Sequence, residues 1–302
     1  MITLHHAAAT HTGRVRPHNE DAYLALPQAG LWLLADGMGG HESGEVASRI
    51  VCESITAAIG AGQPLPEAVQ QAHHAVRTAA ANGEGAAGMG STVVALKIHD
   101  AHCQIAWVGD SRAYLWQNNV LRQLTRDHSF VQHLLDSGAI TAAEASVHPK
   151  RNVILQSMGS AHTTDVKVGV VDHDLQPGDC LLLCSDGLNG ELSDDAIAAI
   201  LRRASPATGA LQPLINAALE RGGNDNVTVI LVAALTDAQS LQLRTTGSVD
   251  VTAVRRAVTA PAAADASAGA DSDKSWLDSS KEKAGKLLSK PLAFFRDEEN
   301  NK

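Results

Sequence analysis

Apolar residues follow two rhythms along this chain. Continuous runs such as Leu31 to Leu34, Leu181 to Cys184 and Val227 to Ala233 read as buried strands. By contrast, Val46, Ile50, Ile55 and Ile59 recur at helical spacing, and Pro64 to Ala81 predicts a second helix with proline near its start. Ser91 to Ile98, Cys103 to Val108 and Arg112 to Trp116 are three further strands joined by short polar turns. Strands so close in sequence are expected to pair antiparallel, because a parallel pair needs a long crossover. Residues 127–160 read as irregular and polar, with one short helix around Phe130 to Ser137. A strand at Asp179 to Cys184, helices near 194–203 and 208–221, and the final strand complete the pattern. Two helices, a strand cluster and two more helices predict sheets in the middle with helices outside.

The pattern stops near Thr236. Beyond it, VTAPAAADASAGADSDKS is rich in Ala, Ser and Asp and has little to bury, which is the signature of a disordered linker. The division is therefore residues 1–236, a globular domain, and 237–302, a mostly disordered linker and docking tail. The end of the tail sets Trp276, Leu287, Leu288, Phe294 and Phe295 beside Lys281, Lys283, Lys286 and Lys290, a combination suited to a partner or an anionic membrane surface. With 44% hydrophobic residues but only 3% aromatic ones, the core has to be aliphatic. A formal net charge of -9 argues against a nucleic-acid partner, which calls for a basic face. The N-terminus lacks the basic-then-apolar pattern of a signal peptide, and no run is long enough to span a bilayer, so the expected location is cytoplasmic. There Cys52, Cys103, Cys180 and Cys184 are expected as reduced, buried thiols; they form no CxxC pair, which speaks against zinc.

The candidate chemistry lies where apolar runs meet aspartate. LWLLADGMGG carries Asp36, IAWVGDSRAYL carries Asp110, LLLCSDGL carries Asp186, and GGNDNVTVILV carries Asp225 ahead of its run. A carboxylate at the mouth of a buried strand is costly unless its charge is compensated. Four of them point to convergence on hard cations, which prefer oxygen ligands. RVRPHNEDAY adds Arg16, Asn19, Glu20 and Asp21. A guanidinium beside metal-binding acids suits a phosphoryl group: metals activate water while arginine orients the oxygens.

In order, RxxNED (16–21), DGMGG (36–40), GST (90–92), GDSRAYL (109–115), SDGL (185–188) and GxDNxT (223–228) resemble the bacterial type 2C metal-dependent Ser/Thr protein phosphatases over residues 8–234. The resemblance implies an α+β fold, a four-layer α-β-β-α sandwich of two antiparallel sheets flanked by helices. It implies hydrolysis of phosphoserine and phosphothreonine in proteins by a metal-bridging hydroxide, opposing a bacterial Ser/Thr kinase. Two tightly bound Mn2+ or Mg2+ ions are implied, with a weaker third. Asp36 would bridge the pair, the Gly37 carbonyl would ligate one ion, and Asp186 and Asp225 would complete the shell of the other. Glu20 and Asp21 would act on the metals' waters, Asn226 would position Asp225, Asp110 with Asp186 would hold the third ion, and Arg16 would clamp phosphate. Met38 stands where many eukaryotic relatives have a histidine proposed as general acid; His41 and a metal-bound water are the remaining candidates. His73, His74 and His148 are expected to be structural or exposed. Residues 125–160 match a variable flap, whose Lys150 and Arg151 either greet a phosphopeptide or are solvated loop charges. A scaffold on the same fold and a hydrolase of small phosphoesters are the competing readings.

Overall fold

The apolar runs form the central strands of two antiparallel sheets flanked by helices, in agreement with the implied sandwich. The computed structural model describes residues 2–39 and 43–246. In chain order, β1 (Thr3–His11), β2 (Asp21–Leu26) and β3 (Leu31–Met38) precede α1 (Ser43–Gly60) and α2 (Leu65–Ala81). Five strands follow: β4 (Gly90–Ser91), β5 (Val93–His99), β6 (His102–Val108), β7 (Arg112–Gln117) and β8 (Val120–Gln123). Short helices α3 (Phe130–Asp136) and α4 (Ala142–Ser146) lead to β9 (Gly169–Asp174) and β10 (Cys180–Cys184). Then come α5 (Asp186–Asn189), α6 (Asp194–Leu201), α7 (Leu211–Arg221), β11 (Val227–Leu235) and α8 (Asp237–Thr246).

One sheet runs β1-β11-β10-β7-β8 and the other β2-β3-β5-β6-β9, with β4 paired to β3. Because side chains alternate across a strand, each central strand feeds two layers. Trp32 and Leu34 of β3 meet Leu181 and Leu183 of β10 and Ile230 and Val232 of β11 between the sheets. Leu31, Leu33 and Ala35 face the other way, against Val51, Ile55, Val69 and Val76 of α1 and α2. Leu182, Val229 and Leu231 pack under Ile197, Leu201, Leu214 and Ile215 of α6 and α7. The four cysteines are buried and free.

Several expectations need correction. β6 and β7 do not pair; β6 lies in one sheet and β7 in the other, so the Gly109–Ser111 turn carries the chain across the sandwich. The expected strand from Ser91 is interrupted at Thr92, between β4 and β5. β1, β2, β8, β9 and α4 have no counterpart in the pattern read from sequence. Past Thr236 the chain forms α8 before the described residues end at 246. The linker and docking tail beyond that point lie outside the described residues, as does His41.

Candidate metal-dependent active site

The β2–β3 register sets Asp21 directly across from Asp36. Asp36 is fixed through its backbone: its N–H donates to Thr92 Oγ1 (3.1 Å), and its carbonyl accepts from Thr92 N–H (2.8 Å) and Ser91 Oγ (3.0 Å). The strand then dives under the start of α1. A Cβ on Gly37 would lie 2.1 Å from the Gly44 carbonyl oxygen and 2.6 Å from that of Glu20, so only glycine fits this crossing. Glu20 is held there by three backbone bonds. Its carbonyl accepts from Gly37 N–H (3.1 Å) and Ser48 Oγ (2.7 Å), and its N–H donates to Asn226 Oδ1 (2.8 Å).

The other sheet supplies Asp186 at the end of β10 and Asp225 just before β11. These two turns interlock tightly, since a Cβ on Gly187 would fall 1.9 Å from the Asn226 carbonyl oxygen. Asp225 pairs with Arg16, whose Nη2 donates to Oδ2 at 2.7 Å. Asn226 meets Asp225 through its main-chain N–H (2.9 Å), whereas its side-chain amide donates to the Thr12 and His18 carbonyls. The Asn226 side chain therefore staples the Arg16–Glu20 loop to β11 rather than aligning the Asp225 carboxylate. Asp110 lies in the crossing turn between the sheets, after Gly109 at φ 106°.

The electrostatics show how closely these acids gather. Burial raises the Asp36 carboxyl well above its ordinary range, reinforced by repulsion from Asp21, Asp186, Asp110 and Asp225. Burial likewise pushes Asp21 and Asp110 up to about 7 and Asp186 to about 6. Two hydroxyls partly offset the cost at Asp21: Thr228 Oγ1 (2.6 Å) and Ser185 Oγ (2.8 Å) both donate to Oδ2. Asp21 Oδ1 and Asp110 Oδ1 are buried without a partner among the described residues. Buried acceptors of this kind ordinarily have one.

This donor set fits hard divalent ions, because it is all oxygen, mutually repelling, and has unspent acceptors. Among the described residues, no three acidic, histidine or cysteine side chains close into a ready-made cage. All described candidates on the acidic face, Arg16, Glu20, Asp21, Asp36, Gly37, Asp110, Asp186, Asp225 and Asn226, belong to this one region. Ser185, Thr228, Ser91 and Thr92 carry supporting roles that sequence reading did not assign, although all four stand inside the quoted motifs. His73 is buried, its Nδ1 accepting from Gly159 N–H at 3.1 Å, and His74 sits 3.3 Å from Asp165.

Comparison with known proteins agrees with this architecture. The family model described as Protein phosphatase 2C matches residues 10–235. The Serine/threonine phosphatase stp of Listeria monocytogenes is 36% identical over 242 residues, covering 76% of this chain and 95% of that protein. The catalytic domain of PstP, solved in complex with 2 manganese ions, superposes with a TM-score of 0.69 at 34% identity, covering 78% of this chain and all of that one. PppA of Pseudomonas aeruginosa, described as a key regulatory component of T6SS, gives a TM-score of 0.65 at 33% identity over 77% of this chain and 98% of that one. With its fold, its six motifs in order and its relatives in agreement, the chain belongs to the protein phosphatase 2C family.

Proposed function

We propose that this chain hydrolyses phosphoserine and phosphothreonine in proteins at the face between the two sheets, opposing a Ser/Thr kinase. The carrying observation is the gathering of Asp21, Asp36, Asp110 and Asp186 with raised carboxyls and two unspent buried oxygens. Asp36, the Gly37 carbonyl, Asp186 and Asp225 are the residues that would hold two divalent ions, manganese or magnesium. Asp110 with Asp186 would hold a weaker third. Bound there, such ions supply a hydroxide nucleophile at neutral pH and neutralise phosphate charge. Glu20 and Asp21 would act on the water ligands of those ions. Arg16, half-exposed and paired with Asp225, is placed to turn its fork towards a phosphate. Cysteine chemistry does not compete: burial pushes the Cys103 and Cys180 thiols up to about 12 and raises Cys52 and Cys184 further, so none is a thiolate nucleophile. Among the described residues no helix is long and apolar enough to cross a membrane.

The test is hydrolysis of p-nitrophenyl phosphate and phosphothreonine peptides by the full chain with added manganese, with and without EDTA. EDTA should abolish activity, and Asp36→Asn should lower turnover by at least ~100-fold, the scale of losing one strong electrostatic stabiliser. A wild type inert on every substrate at saturating manganese would leave a binding scaffold as the better reading.

A further inference from the structure

The flap between β8 and β9 is electrically lopsided. Its four acids are all engaged inside the domain. Asp127 receives Arg112 through Nε (3.0 Å) and Nη2 (2.7 Å), and Asp136 pairs with Arg126. Glu144 closes the capping box with Thr141, and Asp165 takes Gln70 Nε2 at 2.7 Å. Apart from Arg126, its Lys and Arg side chains are not matched in the same way. Lys150, Arg151 and Lys167 are exposed, and no carboxylate pairs with them among the described residues. Lys150 instead lies over the Phe130 ring, 5.3 Å from its centroid. Beside these cations the fold leaves aliphatic side chains in solvent: Val147 is 76% exposed, Leu155 53% and Val153 42%.

This strip adjoins the acidic face. Leu155 N–H donates to the His128 carbonyl (2.7 Å), and His128 N–H donates to the carbonyl of Gly109, the residue before Asp110 (2.8 Å). His128 Nδ1 accepts the Gly109 N–H in return (3.2 Å). Three residues past Leu155, Met158 exchanges hydrogen bonds with Ser91 (2.8 and 3.2 Å), whose hydroxyl holds the Asp36 carbonyl. Lys167 is tied beside Leu155, its N–H donating to Gln156 Oε1 at 2.8 Å. The Leu155 end of the strip is thus tied to the Asp110 turn through His128 and, through Met158, to the Asp36 strand.

We propose that Val147–Leu155, with Lys150, Arg151 and Lys167, docks the polypeptide flanking the phosphorylated residue and selects substrates with acidic side chains next to an aliphatic one. Unpaired cations on a chain of net charge -9 define the charge of the occupant, and the three exposed aliphatic side chains define its apolar element. The selection rests on the phosphatase reading of the neighbouring site.

The test compares two phosphothreonine peptides of equal length, hydrolysed by the full chain with manganese. One carries Asp, Glu and Leu around the phosphothreonine; the other carries Lys and Ser. The first should be favoured about five- to tenfold in kcat/KM, and the preference should shrink at ~0.5 M salt because exposed pairs are screened. Lys150→Glu with Arg151→Glu should reverse the order of the two peptides, and Leu155→Ser should lower kcat/KM only for the leucine-bearing one. p-Nitrophenyl phosphate has no flank and reports the reacting site by itself. Equal kcat/KM for the two peptides in wild type, alongside normal p-nitrophenyl phosphate hydrolysis, overturns the docking strip and leaves the phosphatase standing. Inactivity on all three substrates overturns both.

Discussion

Asp21→Asn should stabilise the metal-free protein at alkaline pH. Asp21 is 7% exposed, and its Oδ2 takes two hydroxyl donors that an asparagine amide oxygen can keep. What the substitution removes is a carboxyl whose folded-state pKa, about 7, stands far above the ordinary 3.8. A raised carboxyl binds its proton more tightly in the folded state. Its favourable contribution is therefore complete below pH 3.8, declines as pH rises, and has become a full penalty above pH 7. A difference of about 3 units at 1.36 kcal/mol each sets an upper bound of about 4 kcal/mol. Because Asp186 and Asp225 share the repulsion, we expect about 2 kcal/mol from this single change. For a domain of this size that is ~4–8 °C in Tm. Thermal unfolding in EDTA at pH 8 should show Asp21→Asn melting higher than wild type, with the gap falling to about a third at pH 5. Manganese should raise the Tm of the variant less than that of wild type, since an acceptor at the ion face is gone. A variant that melts below wild type at pH 8, or a gap independent of pH, would refute the electrostatic account of this cluster.

Three further outcomes are expected. Arg16→Ala should raise KM and lower kcat towards phosphopeptides while leaving calorimetric manganese affinity nearly unchanged, and Arg16→Lys should recover only part, because an ammonium cannot reproduce the fork. Asp110→Ala should keep two tight metals by calorimetry yet lose most phosphopeptide activity; unaltered kinetics would reduce Asp110 to a turn former in the crossing between sheets. Truncation after residue 246 should leave p-nitrophenyl phosphate hydrolysis within about twofold of full length, because the acidic face is built from residues before that point.

The acids were legible because each breaks a local rule: an aspartate has no ordinary reason to end a run such as Leu31 to Ala35 or Leu181 to Cys184. What escaped sequence reading is of two kinds. The edge strands β1 (TLHHAAATH) and β9 (GVVDHD) mix His, Ala and Asp over partly exposed faces, so neither a continuous apolar run nor a clean apolar–polar alternation marks them. The second kind is long-range. Nothing near Asp21 announces that Thr228, 207 residues on, donates to its carboxylate, or that the Asn226 side chain grips Glu20, Thr12 and His18 instead of Asp225. The β6–β7 turn misled for a related reason. Short turns ordinarily pair their strands, but here β6 continues its sheet with β5 and β9 while β7 pairs with β10 and β8.

That crossing explains why the site depends on the whole sandwich. Asp21 and Asp36 belong to one sheet, Asp186 and Asp225 to the ends of strands in the other, and Asp110 to the turn between them. No single sheet brings the acids together; the layer of Trp32, Leu34, Leu183 and Ile230 does so by packing the two sheets face to face. The apolar layer supplies the attraction, and the carboxylates at its edge oppose it. Ion binding at the acidic face should therefore stabilise the packing of the sheets and not only a loop, because it acts only on the state in which both are apposed. The supporting hydroxyls follow the same logic. Thr228 comes from β11 and Ser185 follows β10, and both donate to an aspartate of the opposite sheet, while Thr10 of β1 backs Thr228 with its Oγ1 2.7 Å from Thr228 Oγ1. Loss of these hydroxyls would leave Asp21 buried with no donor, so the cost of each would appear first in the metal-free protein at high pH.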